Sequence, residues 1–165
     1  MTGILPIALG LFLAAPASAD EKFEKARIII LEGGSGWLSP AEVRVPANLQ
    51  PLARARASVE ALLARGPGLG GPFPEGTRLL HLFLGPGATA VVDLGPEALR
   101  TPSGASSESL AAQSLVLTLT ANLPGVEKVL IMIEGKKRET LAGHLGLLEA
   151  LKPMENLVRK TETHR

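Results

Sequence analysis

The chain has 165 residues, of which 45% are hydrophobic and 20% are charged, a composition typical of one globular domain. Seventeen basic and sixteen acidic side chains leave a formal net charge of +1, which argues against nucleic acid or an anionic membrane surface as a partner. Because there is no cysteine, disulfides, thiolate metal sites, a cysteine nucleophile and the acylated cysteine of a lipoprotein are all excluded.

The first nineteen residues have the pattern of a secretory signal peptide. A run of about twelve apolar residues, too short to span a bilayer, is followed by Ala17-Ser18-Ala19, an A-x-A cleavage pattern. Charged residues begin directly afterwards at Asp20. We therefore expect cleavage after residue 19, a linker over 20–25, and an exported protein, periplasmic or extracytoplasmic, without a stable membrane anchor. A retained N-terminal helix or an uncleaved tether is the alternative.

The first half of the mature chain predicts two strands and a helix. Residues 26–32 are rich in isoleucine and stop at a glycine-rich segment, which indicates a buried strand. Residues 42–45 alternate before a proline and predict an edge strand, with Trp37 in the connector between the two strands. Residues 51–65 carry apolar side chains at helical spacing and predict an amphipathic helix.

The middle of the chain predicts a loop and a hairpin. The glycine- and proline-rich segment 66–76 cannot form regular structure, and Phe73 is expected to order it. Two extended runs, 77–84 and 88–94, are separated by Gly85-Pro86-Gly87 and predict an antiparallel hairpin.

The last third predicts a second, deeply packed helix and a further strand. Ser106 or Ser107 is expected to cap a helix that runs to about Asn122, with Glu108 near the positive end of the helix dipole. The remaining predictions are a buried strand over 126–133, a short strand over 139–141 and a short helical turn over 145–151.

This order of elements predicts an α+β fold, an α/β sandwich. One mixed βαββαβ-like sheet carries two helices on one face. The domain is expected to span residues 26–152, and residues 153–165 to form a polar C-terminal tail.

Several short motifs occur in a characteristic order over residues 73–95 and 114–143. Their positions are Pro74, Gly76 and Thr77 at the entry to a hairpin, Asp93 and Leu94 at its end, Thr118 in a Thr-Leu-Thr segment, Pro124, Gly125 and Val126 before a strand, and Gly135 after it. In this order the motifs resemble the GerMN domain family of spore-germination proteins.

The resemblance implies a compact fold similar to ring-building motifs, without catalytic, metal-binding or cofactor-binding residues. It also implies that the chain is no enzyme, and that it acts in assembly of the cell envelope, as relatives do in sporulation and germination complexes. Its partners would then be other envelope proteins or further copies of the chain.

The residues themselves offer little chemistry. Asp93 lies at the end of a strand, and we interpret it as a cap of the backbone before Gly95. His81, His144 and His164 are far apart and belong to no metal-ligand motif. No G-x-S-x-G elbow is present, so an envelope hydrolase is the least supported alternative.

Three residues are candidates for partner binding. Arg54 and Arg56 lie on the first helix, and Trp37 is the only tryptophan. Together they are compatible with a second hypothesis, a protein that binds peptidoglycan, although only five aromatic side chains occur in the chain to stack on sugars.

Overall fold

The computed structural model describes residues 22–33 and 35–159. The predicted signal peptide, the first two residues of the predicted linker, and residues 160–165 with His164 lie outside the described residues. The elements, in chain order, are β1 (Phe23–Glu32), β2 (Trp37–Pro46), α1 (Pro51–Leu63), β3 (Leu79–Gly85), β4 (Thr89–Leu94), α2 (Ala105–Asn122) and β5 (Lys128–Ile133). Within the described part of the chain, no helix has the length and apolarity needed to cross a membrane.

A three-stranded mixed sheet forms the centre of the fold. The central strand β4 pairs antiparallel with β3, as the predicted hairpin requires, and parallel with β5. Alternate residues of the strands enter one core together with apolar residues of both helices. That core includes Ala55, Val59 and Leu63 of α1, Leu115 and Leu119 of α2, and Val92, Leu94, Ile131 and Ile133 of the sheet. The α+β prediction, with two helices on one sheet face, is confirmed.

The first two strands form a separate antiparallel hairpin, so the expectation of one continuous sheet is wrong. The reason lies in α2, whose side chains occupy the edge of β1 where another strand would pair. Thr118 Oγ1 accepts a hydrogen bond from Ile29 N at 2.9 Å, and Ser114 Oγ donates one to Ile29 O. Asn122 Nδ2 donates to Arg27 O in the same way. This edge of β1 is therefore satisfied by a helix rather than by a strand.

The strand β2 is longer than predicted, and Trp37 begins it instead of lying in a connector. Pro40 lies within the strand, where a proline cannot donate a ladder hydrogen bond. However, Pro40 lies opposite Ile29, whose N–H and C=O both point away from β2 toward α2. This pair makes no ladder hydrogen bond, so the missing N–H of Pro40 costs the hairpin nothing.

The segment after β5 contains no helical turn over 145–151, contrary to the prediction. It runs in a compact loop in which Leu141 N donates to Leu145 O at 3.0 Å and Leu147 N to Glu139 O at 3.0 Å. The predicted short strand is present only as an isolated bridge at Thr140. Leu141 and Leu147 are buried in the main core, which explains why the loop is folded inward.

Residues 153–159 lie against the domain, although the sequence places them in the polar tail. Val158 pairs with Leu38 in a parallel bridge, and Arg159 N donates to Leu38 O at 2.8 Å. Leu157 and Val158 also pack on a second apolar cluster centred on Ile29 and Leu117. The packed part of the chain therefore extends to Arg159.

Candidate functional site

The residues of the Pro-x-Gly-Thr motif form a tight turn before β3. Both Thr77 N and Thr77 Oγ1 donate hydrogen bonds to Pro74 O, at 3.2 and 2.7 Å. Gly76 has φ +84°, a conformation that side chains disfavour and that this turn requires. The motif thus fixes where the chain enters the sheet.

The second motif residue, Asp93, links three parts of the structure. Its Oδ1 accepts a hydrogen bond from Gly135 N at 2.8 Å, and its Oδ2 lies 3.1 Å from Nδ1 of the exposed His81. Asp93 therefore does not cap the backbone before Gly95, as the sequence suggested. It holds instead the two-residue turn after β5, in which Glu134 and Gly135 both have positive φ.

The remaining motif residues are also part of the framework. Leu94 is fully buried, and its carbonyl accepts a hydrogen bond from Glu134 N at 3.0 Å. The Pro124-Gly125-Val126 segment ends the helical region in a turn, with Val126 N donating to Leu123 O at 3.2 Å. Thr118 serves the edge of β1, as described above.

A buried carboxylate, Glu108, forms a cluster with Gly104, Ala142, His144 and Leu145. Its Oε2 accepts backbone hydrogen bonds from Ala142, His144 and Leu145 at 2.8–3.0 Å. Its Oε1 accepts from Gly104 N at 3.2 Å and lies 2.9 Å from His144 Nδ1. The expected serine cap of α2 is absent because Gly104 is the capping residue, and the Glu108 carboxylate reaches back to it. We call this group the Glu108 cluster.

The environment of Glu108 acts on its pKa in two opposite ways. Burial raises the pKa, whereas the hydrogen bonds from Leu145, Ala142 and His144 stabilise the anion and lower it. The result is a pKa lowered from 4.5 to about 2. Glu108 is therefore ionised at neutral pH, and its carboxylate ties the start of α2 to the loop after β5.

Ser103, His144 and Glu108 together resemble a hydrolase triad in composition, but their geometry is different. Ser103 Oγ lies 3.4 Å from His144 Nδ1, the same nitrogen that contacts Glu108 Oε1. A triad needs the acid and the nucleophile on opposite ring nitrogens, so that the ring can pass a proton between them. This histidine cannot activate Ser103 while it holds Glu108.

Trp37, Arg54 and Arg56 do not form one surface. Arg54 donates to Lys25 O at 2.6 Å and pairs with Glu24 at 3.0 Å, while Arg56 pairs with Glu60 at 2.9 Å on the same helix. Both guanidinium groups thus already have anionic partners. Trp37 lines a separate cavity to which neither arginine contributes.

The cavity at Trp37 has a volume of about 570 Å³, which we call the Trp37 cleft. Its three walls come from the tip of the β1–β2 hairpin, the 66–76 loop, and the connector that leads into α2. Its lining includes Leu31, Glu32, Trp37, Phe73, Glu75, Arg100, Ser107 and Leu110, with prolines 67, 72, 74 and 102. The sequence identified Trp37 and the loop, but it did not predict that Arg100 and Leu110 lie next to them.

A second surface is the face of the three-stranded sheet opposite the helices. Its central row runs from Phe83 through Val91 to Leu130, and the next row from His81 through Asp93 to Met132. Phe83 is 47% exposed, and neither α-helix packs on this face. We call it the open sheet face.

Metal binding has no support in the described part of the chain. No group of three or more His, Asp or Glu side chains there could hold an ion. His81 and His144 each pair with a single carboxylate, and neither carboxylate is shared with another histidine.

Comparison with known proteins gives a family and a fold. Residues 36–139 match the Germane family, described as "Sporulation and spore germination". The first GerMN domain of the sporulation protein GerM from Bacillus subtilis is 17% identical, with a TM-score of 0.58 over 78% of this chain and 97% of that one. Its tandem GerMN domains give 17% identity and a TM-score of 0.64 over 79% of this chain and 46% of that one.

A Clostridium perfringens protein described as a candidate lipoprotein shares the same architecture. It is 16% identical, with a TM-score of 0.55 over 83% of this chain and 93% of that one. Among curated proteins, none matches this chain significantly.

Proposed function

Because this chain belongs to the Germane (GerMN) family of sporulation and spore-germination proteins, we propose that it is an exported, non-enzymatic module that assembles with other proteins in the cell envelope. The family membership carries the link to sporulation. The sequence at the N-terminus supports export. One surface of the domain, the open sheet face, supports protein assembly.

The open sheet face is the observation that favours assembly. Phe83 is 47% exposed, its neighbour Val91 is 7% exposed, and Leu130 beyond it is half-buried, so one apolar row crosses all three strands with Phe83 as its protruding member. Contiguous apolar surface on a folded domain is typical of sites that another protein covers, and a protruding aromatic side chain is a frequent anchor of such contacts. A helix or a sheet edge of the partner would cover this row.

The polar groups of the domain favour a role without chemistry. Asp93 and Glu108, the buried carboxylates in the described part of the chain, are occupied by hydrogen bonds that hold loops of the domain itself. His81 has no serine partner among the described residues, and His144 contacts Ser103 and Glu108 through one nitrogen. Neither arrangement provides a nucleophile with a general base.

Export can be tested at the predicted cleavage site. We expect protein recovered from the envelope or culture medium of producing cells to begin at Asp20, as determined by N-terminal sequencing. Ala19→Arg should block cleavage, because the processing enzyme requires a small residue at this position. Recovery of the chain in the cytoplasm with an intact N-terminus would contradict the proposal of export.

Assembly is best tested inside producing cells with the full-length chain. A photoreactive amino acid at position 83 should give a discrete crosslinked species of higher mass after illumination. The same amino acid at Leu69, which is 68% exposed but lies in the Pro67–Leu69 turn, is the matched control. Mass spectrometry of the crosslinked species would distinguish another copy of the chain from a different protein.

The second arm of the experiment asks whether the contact matters. Phe83→Lys places a charge in the apolar row, and we expect it to abolish a crosslink made from position 130, while Leu69→Lys leaves that crosslink unchanged. Equal crosslinking from positions 83 and 69, or no crosslink from either, would count against the open sheet face as the assembly surface.

A further inference from the structure

The Trp37 cleft has the size and lining of a binding site, and it is separate from the proposed assembly surface. Its volume of about 570 Å³ lies within the range of ligand pockets, roughly 300–1,000 Å³. Leu31, Phe73 and Leu110 line it together with four prolines, and Trp37 remains 43% exposed beside them. An exposed indole in an apolar cavity is unusual for a residue with a purely structural role.

The cleft contains three side-chain donors without partners. Within the described residues, the Trp37 indole N–H, the Arg100 guanidinium and the Ser107 hydroxyl make no hydrogen bond. The four prolines remove backbone N–H groups from the walls, which leaves these three side chains as the side-chain donors of the cleft. A ligand that fits these donors offers carbonyl acceptors.

The charges of the cleft select against strongly charged ligands. Arg100 and Glu75 contribute one charge of each sign, and the carboxylate of Glu32 is paired with Arg159 at 2.9 Å. A phosphate or a polyanion would meet the Glu75 carboxylate as well as the Arg100 guanidinium, and would gain no net attraction from the pair. A glycan, whose hydroxyls need many acceptors, would find two side-chain carboxylates, those of Glu75 and Glu32, and the second of these is already paired with Arg159. A neutral ligand with an apolar body therefore matches the site.

We propose that the Trp37 cleft binds an extended, proline-containing peptide segment of a partner protein in the polyproline II conformation. Such a segment has apolar rings that pack on Trp37 and on the apolar walls, and its backbone presents carbonyl acceptors almost without donors. Its preformed conformation also lowers the entropy lost on binding, which suits a shallow cleft with few polar contacts.

The chain provides its own reporter for this inference. Trp37 is the only tryptophan, and there is no tyrosine, so the intrinsic fluorescence of the purified full-length protein reports directly on the cleft. We expect titration with acetylated and amidated hexaproline to give a saturable shift of emission to shorter wavelength, because prolyl rings replace water around the indole. A glycine-serine peptide of equal length should give no saturable change.

Variants locate the binding without removing the reporter. Arg100→Ala removes an exposed donor and should weaken hexaproline binding about threefold, the effect of one hydrogen bond of modest strength. Leu110→Glu places a charge in the apolar wall and should weaken it about tenfold or more. Leu148→Ala, at an exposed apolar residue outside the cleft, is the control and should bind as the unaltered protein does. Circular dichroism of each variant checks that the domain remains folded.

Three results would overturn the inference. The first is the absence of a saturable response to hexaproline up to millimolar concentration. The second is that Arg100→Ala and Leu110→Glu, both folded, bind hexaproline with the affinity of the unaltered protein. The third is saturable binding of an N-acetylglucosamine oligomer without binding of hexaproline. The last result would assign the cleft to glycan. Because the titration uses position 37 and the crosslinking experiment uses position 83, failure of one leaves the other interpretable.

Discussion

The first two turns of α2 face two regions with opposite properties. Glu108 points into the Glu108 cluster, where each of its oxygens has partners within the domain. Ser107 and Leu110 line the Trp37 cleft, where the indole and Arg100 have no partner among the described residues. Neighbouring residues of one helix thus belong to two regions. In one the hydrogen-bonding groups have partners within the domain, and in the other they do not.

Whether a polar group has hydrogen-bond partners within its own chain distinguishes structural from functional polar groups, even when no ligand is known. A buried polar group that finds all its partners in its own chain lowers the free energy of the fold and has no capacity left for a substrate. A polar group beside an apolar cavity, with its capacity unused, contributes little to stability but can recognise another molecule. The predictions below test whether stability and binding divide between the two regions in this way.

The largest effect is expected from the Glu108 cluster. Glu108→Ala leaves the N–H groups of Ala142, His144 and Leu145 without acceptors in a buried site, and we expect it to lower the free energy of unfolding by about 4 kcal/mol. Denaturant unfolding followed by circular dichroism measures this change.

The control for this variant is Glu60→Ala, which removes an exposed carboxylate whose partner is Arg56 on the same helix. We expect that change to cost no more than about 0.5 kcal/mol. If Glu108→Ala cost as little as Glu60→Ala, the contrast between the two regions of α2 would be lost.

A second prediction concerns pH. The pKa of Glu108 is lowered from 4.5 to about 2 in the folded protein, so the unfolded chain binds the proton more readily. The contribution of this carboxylate is fully present above pH 4.5 and is lost as the pH falls from 4.5 toward 2. We expect the protein to lose about 3 kcal/mol from this group over that interval.

Glu108→Gln is the matched comparison, because it keeps the shape and one acceptor oxygen but cannot titrate. Unfolding free energies of the two proteins should therefore converge as the pH is lowered, and differ most at neutral pH. Parallel curves between pH 4.5 and 2 would contradict the lowered pKa.

The sequence predicted the elements of this fold better than the contacts among them. Hydrophobic periodicity predicted the order of five strands and two helices, and the family motifs included Gly76 and Gly135, which the structure places in turns with positive φ. The separation of β1 and β2 from the main sheet was not predictable, because it depends on Ser114 and Thr118 of α2 meeting Ile29, which is more than eighty positions away in the chain. Period and propensity carry no information on such a pairing.

The candidate sites show the same limit. Trp37 was identified from the sequence, but as a residue of a connector, and its neighbours Arg100 and Leu110 come from distant segments. Glu108 was predicted to lie near the start of α2, which is confirmed, yet its partners follow β5 in a loop that the sequence predicted to be partly helical. Local signals identified single residues, whereas the environment of each residue depends on tertiary packing.

A third prediction extends the comparison along α2. Thr118→Val keeps the size of the side chain but leaves the buried Ile29 N–H without its acceptor, and we expect a loss of about 2 kcal/mol in unfolding free energy. Thr120→Val is the control, since the Thr120 hydroxyl donates only to carbonyls of its own helix, Val116 and Leu117. Equal losses in both variants would show that the β1 edge does not depend on Thr118.

The smallest effect on stability is expected at Trp37. Trp37→Ala removes a side chain that is 43% exposed and makes no side-chain hydrogen bond within the described residues, so we expect it to cost only about 1 kcal/mol in unfolding free energy. The same change should abolish the response to hexaproline, which calorimetry can follow in the absence of the fluorescent reporter. A large aromatic residue whose removal hardly affects the fold but eliminates binding belongs to a recognition surface. A loss of stability as large as that of Glu108→Ala would instead place Trp37 in the framework of the domain, and the cleft would no longer differ from the Glu108 cluster.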